Sequence, residues 1–138
     1  MKKMHIISVL IVFLLTLSPA LAADKPKEMD HSGHVGTKIH ESTVKGYHLA
    51  YHVLDLPGRD VHHLMVYIID PDERALTKAK VGYLIVGPRG VKQKKMAMAM
   101  NGSFGGDVNL NAKGNYIINM KALIGDVKVL DRFTHEVK

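Results

Sequence analysis

The chain has no cysteine, and that absence removes three things at once: a lipid attached at cysteine, a disulfide framework and every thiolate metal site. Tryptophan is missing as well. Long apolar runs are scarce. The only extended one, Ile6 to Leu17 with Ser8 and Thr16 inside it, falls short of the roughly 20 residues that span a bilayer as a helix. Helical periodicity is nearly absent from the later chain. Catalytic signatures are lacking too. Asn101 to Gly106 is glycine-rich but lacks the first glycine of a nucleophile elbow, and it is neither a phosphate-binding loop nor a dinucleotide fingerprint. His48, His52 and Asp55 have no marked nucleophile near them in the sequence, so no enzyme is expected.

The start of the chain has the form of an export signal. Lys2 and Lys3 precede the apolar run, Ser18-Pro19 breaks it, and Ala20-Leu21-Ala22 offers a small-x-small cleavage pattern. The expected division is a signal peptide over 1–22, a flexible Met/His-containing arm over 23–37 and a single β-domain over 38–138. Its expected location is the periplasm or the medium, and it is not membrane-spanning after cleavage. The formal net charge of +6 falls by two when Lys2 and Lys3 are removed. The remaining excess is dispersed. Its densest cluster, Lys92-Gln93-Lys94-Lys95, lacks the interleaved aromatics that single-stranded nucleic acid requires, and nucleic acid is excluded as a partner.

The domain alternates with period two. Tyr47, Leu49, Tyr51 and Val53 share one strand face, with His48, Ala50 and His52 on the other. His62 to Ile69 and Val81 to Val86 are strongly apolar. Val91 to Met100 reads as the hairpin partner of the latter. Phe104, Gly106, Val108 and Leu110 alternate against Gly105, Asp107 and Asn109. Tyr116 to Ile124 and Val127 to Val137 form a last hairpin around Gly125-Asp126. About seven short strands separated by turns predict an all-β fold, an immunoglobulin-like antiparallel β-sandwich, with a closed barrel as the alternative.

The stretch "HHLMVYIIDPDERALTKAKVGYLIVGPRG", the strand "GGDVNL", then "KGNYIINMKAL" and the closing "FTHEVK" resemble the YtkA-like/FixH-like group of small exported bacterial domains. The resemblance covers roughly residues 38 to 138. It implies an immunoglobulin-like sandwich of the bacterial envelope, in a group often linked to cation or copper handling, and it carries no ligand set over to named positions.

The ligand argument therefore rests on the residues. The chain holds nine histidines and eight methionines, and thioether with neutral imidazole is the donor set that favours reduced copper over hard cations or zinc. Three groups qualify. Met29, His31 and His34 lie in the arm, where flexibility lets all three converge on one ion. Met96, Met98 and Met100 are spaced two apart, so on one strand they project from one face. His63 and Met65 share a face with Tyr67, whereas His62 falls with Leu64, Val66 and Ile68. His135 lies on an apolar phase and is expected as a core histidine. His48 and His52 are four strand steps, about 13 Å, apart and do not chelate together. The leading expectation is a copper ion bound by a carrier, chaperone or resistance protein. The alternative is a non-catalytic interaction module that docks a membrane or envelope protein complex through Leu64–Ile69 and Val81–Val86.

Overall fold

A computed structural model describes residues 33–138. These form nine strands: β1 (Thr37–Val44), β2 (Tyr47–Asp55), β3 (His62–Ile69), β4 (Lys80–Val86), β5 (Lys92–Met96), β6 (Met98–Met100), β7 (Ser103–Val108), β8 (Gly114–Ile124) and β9 (Val127–Val137). They make two antiparallel sheets, a five-stranded one in the order β1-β2-β3-β7-β6 and a four-stranded one in the order β5-β4-β8-β9. The fold is an all-β sandwich. Setting β1 aside, the two sheet orders are the ABED and C′CFG orders of the immunoglobulin fold. The expected signal peptide and most of the expected arm, Met29 and His31 included, lie outside the described residues. No helix among the described residues is long and apolar enough to cross a membrane.

The period-two pattern explains the core. Leu49, Tyr51, Leu64, Val66 and Ile68 from one sheet meet Val81, Ile85, Ile118, Ala122 and Val129 from the other, all fully buried. Two tyrosines do jobs characteristic of this fold. Tyr116, near the start of β8, donates its hydroxyl to the Ala112 carbonyl 2.8 Å away, which is a tyrosine corner. Tyr83 occupies the strand where antibody domains bury a tryptophan, and it donates to the Phe104 carbonyl across the core at 2.8 Å. A third, Tyr51, donates to Asp131 at 2.9 Å and so joins the two sheets.

Nine strands replace the expected seven for two reasons. The first is β1, which pairs with β2 through the turn Lys45-Gly46, both residues at positive φ as a tight hairpin needs. It is an edge strand with no fully buried residue, so its sequence lacks the alternation that marks a half-buried strand. The second is a break inside Val91–Met100. Met96 pairs with Gly82 in the four-stranded sheet and the Ala97 amide still donates to Val81, but Met98 pairs with Gly105 in the other sheet. The chain changes sheets at Ala97.

Candidate metal centre on the outer face of the five-stranded sheet

The change of sheet corrects the expectation that Met96, Met98 and Met100 form one stripe. Met96 stands on the outer face of the four-stranded sheet, 71% exposed. Met98, 70% exposed, and Met100 stand on the outer face of the five-stranded sheet, on the far side of the sandwich.

On that second face the register assembles a row. His52 is opposite Met65, Met65 is opposite Gly105, and Gly105 is opposite Met98, running across β2, β3, β7 and β6. Alternation adds His63 and Tyr67 from β3, Asp107 from β7 and Met100 from β6 to the same face. This face is far from bare. Met65 is 3% exposed, and Ala50, His52 and Tyr67 are also buried, although Ala50, Met65 and Tyr67 do not belong to the core between the sheets.

Gly105 is the pivot of the row. A methyl group built on its Cα overlaps Nε2 of His63 and meets Cγ of Met65 at 3.0 Å. The His63 ring and the Met65 side chain therefore lean into the space that this glycine leaves empty. Met98 stands on the other side of the same glycine, and strand spacing puts its Cα roughly 10 Å from that of Met65. Two methionines on the same face thus border the side-chain-free position over which the imidazole lies.

The imidazole is held from behind. Nδ1 of His63 lies 2.9 Å from Oδ1 of Asp107, the residue paired with it across β3 and β7. The other Asp107 oxygen takes an ion pair from Arg59 at 3.2 Å. The hydrogen bond from His63, the largest influence, holds the Asp107 carboxyl below its ordinary range; desolvation opposes it, and the Arg59 charge adds a smaller lowering. An ionised carboxylate only accepts, so Nδ1 carries a proton, and in the neutral form of the ring the lone pair sits on Nε2. That Nε2 is buried and has no hydrogen-bond partner among the described residues. The whole side chain is only 12% exposed.

His34 reaches the same face. Its ring stacks on Tyr67, with centroids 3.6 Å apart and planes 15° from parallel, and it meets His52 edge-on at 5.1 Å. The next residue fixes this geometry, because the Val35 amide donates to the Tyr67 hydroxyl at 3.1 Å. His34, His63, Met65, Met98 and Met100, each singled out in the sequence, therefore share one face.

Of the other described histidines, His48 lies on the same face at its far end, and His62 and His135 lie elsewhere. His48 contacts Thr43 Oγ1 at 2.9 Å. His62 faces Asp55 at 3.5 Å and lines a small cavity of about 210 Å3 at one end of the sandwich, together with His135. Partial burial lowers the pKa of His135.

Sequence reasoning missed three members of the centre. His52 was set aside with His48, yet its relevant neighbour is Met65 on the next strand. Asp107 and Gly105 read only as the polar phase of β7. "GGD" was the available signal, since a glycine in a strand marks a close approach and the acid follows two positions later.

Among the described residues no group of three or more His, Asp or Glu side chains could hold a metal ion. A centre on this face needs its thioethers. One oriented imidazole nitrogen with methionines on the same face is a soft, low-coordinate donor set, suited to a monovalent soft ion and poorly suited to calcium, magnesium or zinc. No family model matches the chain, and no curated protein or solved structure matches it.

Proposed function

We propose that this chain is an exported, periplasmic or secreted copper-binding protein, acting as a carrier, chaperone or resistance factor without a catalytic step. The observation that carries the reading is Nε2 of His63. It is buried, backed by Asp107 and placed over Gly105 beside Met65, with Met98 paired to that glycine from the next strand. Metal-binding histidines commonly pass their second ring N–H to a carboxylate in this way, which fixes the tautomer and strengthens the ligating nitrogen. Two thioethers bias such a site to the reduced ion. Met100, His34 and His52 stand on the same face as further donors, and Met29 and His31 precede His34 by a few residues. The likeness of residues 38 to 138 to YtkA-like/FixH-like domains supports the same reading.

The docking alternative relied on Leu64–Ile69 and Val81–Val86. Both strands are interior to their sheets, and Leu64, Val66, Ile68, Val81, Tyr83 and Ile85 face the core, so a docking partner would meet only their outward residues, among them Met65 and Tyr67 on β3 and Gly82, Leu84 and Val86 on β4.

The test is an anaerobic titration of the purified mature chain with Cu(I) against a competing chelator, with Cu(II) and Zn(II) in parallel. The expected result is one tightly held Cu(I) with an X-ray absorption signature of mixed nitrogen and sulfur ligation. Binding no tighter than that of His63→Ala, or a preference for Zn(II), overturns the proposal.

A further inference from the structure

The opposite side of the sandwich carries a different chemistry. The outer face of the four-stranded sheet holds an open groove of about 650 Å3, within the roughly 300–1,000 Å3 typical of small-molecule sites. Gly82 and Leu84 of β4 form its floor. Met96 of β5 and Leu130 of β9 form the two walls, and Leu130 is 58% exposed. The register accounts for the trough. Gly82 lies in the row Met96, Gly82, Lys121, Leu130, so a position without a side chain is bracketed by long ones.

The rim is cationic. Lys94 is paired with Leu84, Lys121 with Gly82, and Arg132 stands one strand beyond Asn119. Lys80, Lys92 and Lys128 extend the same face by alternation. The one acid that lines the groove is Asp131, and its carboxylate is already taken by the hydroxyls of Ser42 and Tyr51 and by the Arg132 amide. An apolar trough with a rim in which Lys94, Lys95, Lys121 and Arg132 outnumber the single carboxylate complements a molecule that has an apolar chain and an anionic head.

We propose that this groove binds a single-chain anionic amphiphile, its acyl chain over Gly82 and Leu84 between Met96 and Leu130, its carboxylate or phosphate head against Lys121 and Arg132. The site is independent of the metal centre, since the two occupy opposite outer faces.

Gly82 supplies a steric test. Its φ is not positive, and a Cβ there makes only ordinary contacts, at 3.4 Å to Met96 Sδ and 3.6 Å to the Lys95 carbonyl. Gly82→Leu therefore fills the trough and leaves the sheet intact, which circular dichroism checks. Calorimetric titration would use laurate, dodecyl phosphate, dodecyl maltoside and inorganic phosphate. Laurate and dodecyl phosphate are expected to bind one per chain. Dodecyl maltoside and inorganic phosphate should bind at least about tenfold more weakly, and Lys121→Gln with Arg132→Gln should weaken laurate by about tenfold or more. Gly82→Leu should abolish laurate binding. Absent laurate binding, equal binding of the maltoside, equal binding of free phosphate, or an unaffected Gly82→Leu variant each overturns the proposal. So does association with phosphatidylglycerol vesicles alone, unchanged by Gly82→Leu, which would make this face a bilayer-docking surface.

Discussion

His63 and Asp107 face each other as a directly paired couple on neighbouring strands, ring nitrogen to carboxylate oxygen at 2.9 Å, although 44 residues separate them in sequence. This couple turns an ordinary strand histidine into an oriented donor. With Nδ1 committed, only Nε2 is left to face Met65 and the bare backbone of Gly105.

The first expectation follows from that division of roles. Asp107→Ala should leave a folded chain whose Cu(I) affinity falls by about 10- to 100-fold, the usual effect of losing the carboxylate behind a ligating histidine. His63→Ala should lose more. A competition titration against a Cu(I) chelator reads both, and equal affinities in the wild type and Asp107→Ala would remove the carboxylate from the account.

The methionines should separate by sheet. Met65→Leu and Met98→Leu keep volume and hydrophobicity, at a cost typically below about 1.5 kcal/mol, but remove a thioether from the centre, so Cu(I) binding should weaken in each. Met96→Leu lies on the opposite face and should bind as the wild type does. The three titrations, run side by side with thermal melts, check it. Weakening by Met96→Leu equal to that by Met98→Leu would mean that the two sheets do not define the site.

Gly105→Ala should be costly for a reason that the adjacent Gly106 does not share. The added methyl overlaps His63 Nε2, and such overpacking costs about 1–3 kcal/mol. If the overlap is the cause, Gly105→Ala should destabilise a His63→Ala background much less. A double-mutant cycle by urea unfolding measures this coupling. Additive effects would place the strain elsewhere.

Acid should act on the same couple. The Asp107 carboxyl is held below its ordinary range by its hydrogen bond with His63 and by Arg59. A lowered folded-state pKa gives stability that is complete above the unfolded value, about 3.9, and is lost as the pH falls through the lower folded value. The stability gap between wild type and Asp107→Ala should hold from pH 7 down to about that point and close below it. Urea midpoints across that range read the gap.

Tyr116→Phe probes the fold without touching the centre. It removes the hydroxyl that donates to Ala112, a loss of about 0.5–1.5 kcal/mol, and Cu(I) affinity should not change. Thermal unfolding and the same chelator competition check the two halves of that statement.

How much of this was legible in the sequence depended on how local each feature was. Strands such as Tyr47–Val53 and Tyr116–Ile124 announce themselves because a half-buried strand must alternate. β1 does not, because only Ile39 and Val44 pack partly against the core and its register shifts between Lys38 and His40, which breaks the alternation. The crossing at Ala97 left no trace either. Residues before and after it keep the same alternation, and only pairing with Gly82 on one side and Gly105 on the other separates them. The partnership of His63 with Met65 was visible as a shared face. Those of Met65 with His52 and of His63 with Asp107 are matters of register, which depends on turn geometry and core packing across dozens of residues.

The crossing at Ala97 also bears on how the folded chain keeps to itself. β5 and β6 are both edge strands, one in each sheet, of 5 and 3 residues. Had Lys92 to Met100 run unbroken along one sheet, it would have offered other copies a long row of unpaired amides and carbonyls with exposed methionines, the template from which β-rich proteins aggregate. Divided between the sheets, each edge is too short to recruit another strand well, and the longer one carries Lys92, Lys94 and Lys95. The device that delivers Met98 to one face and Met96 to the other thus also keeps the methionine-bearing edges short, beside the longer edges β1 and β9.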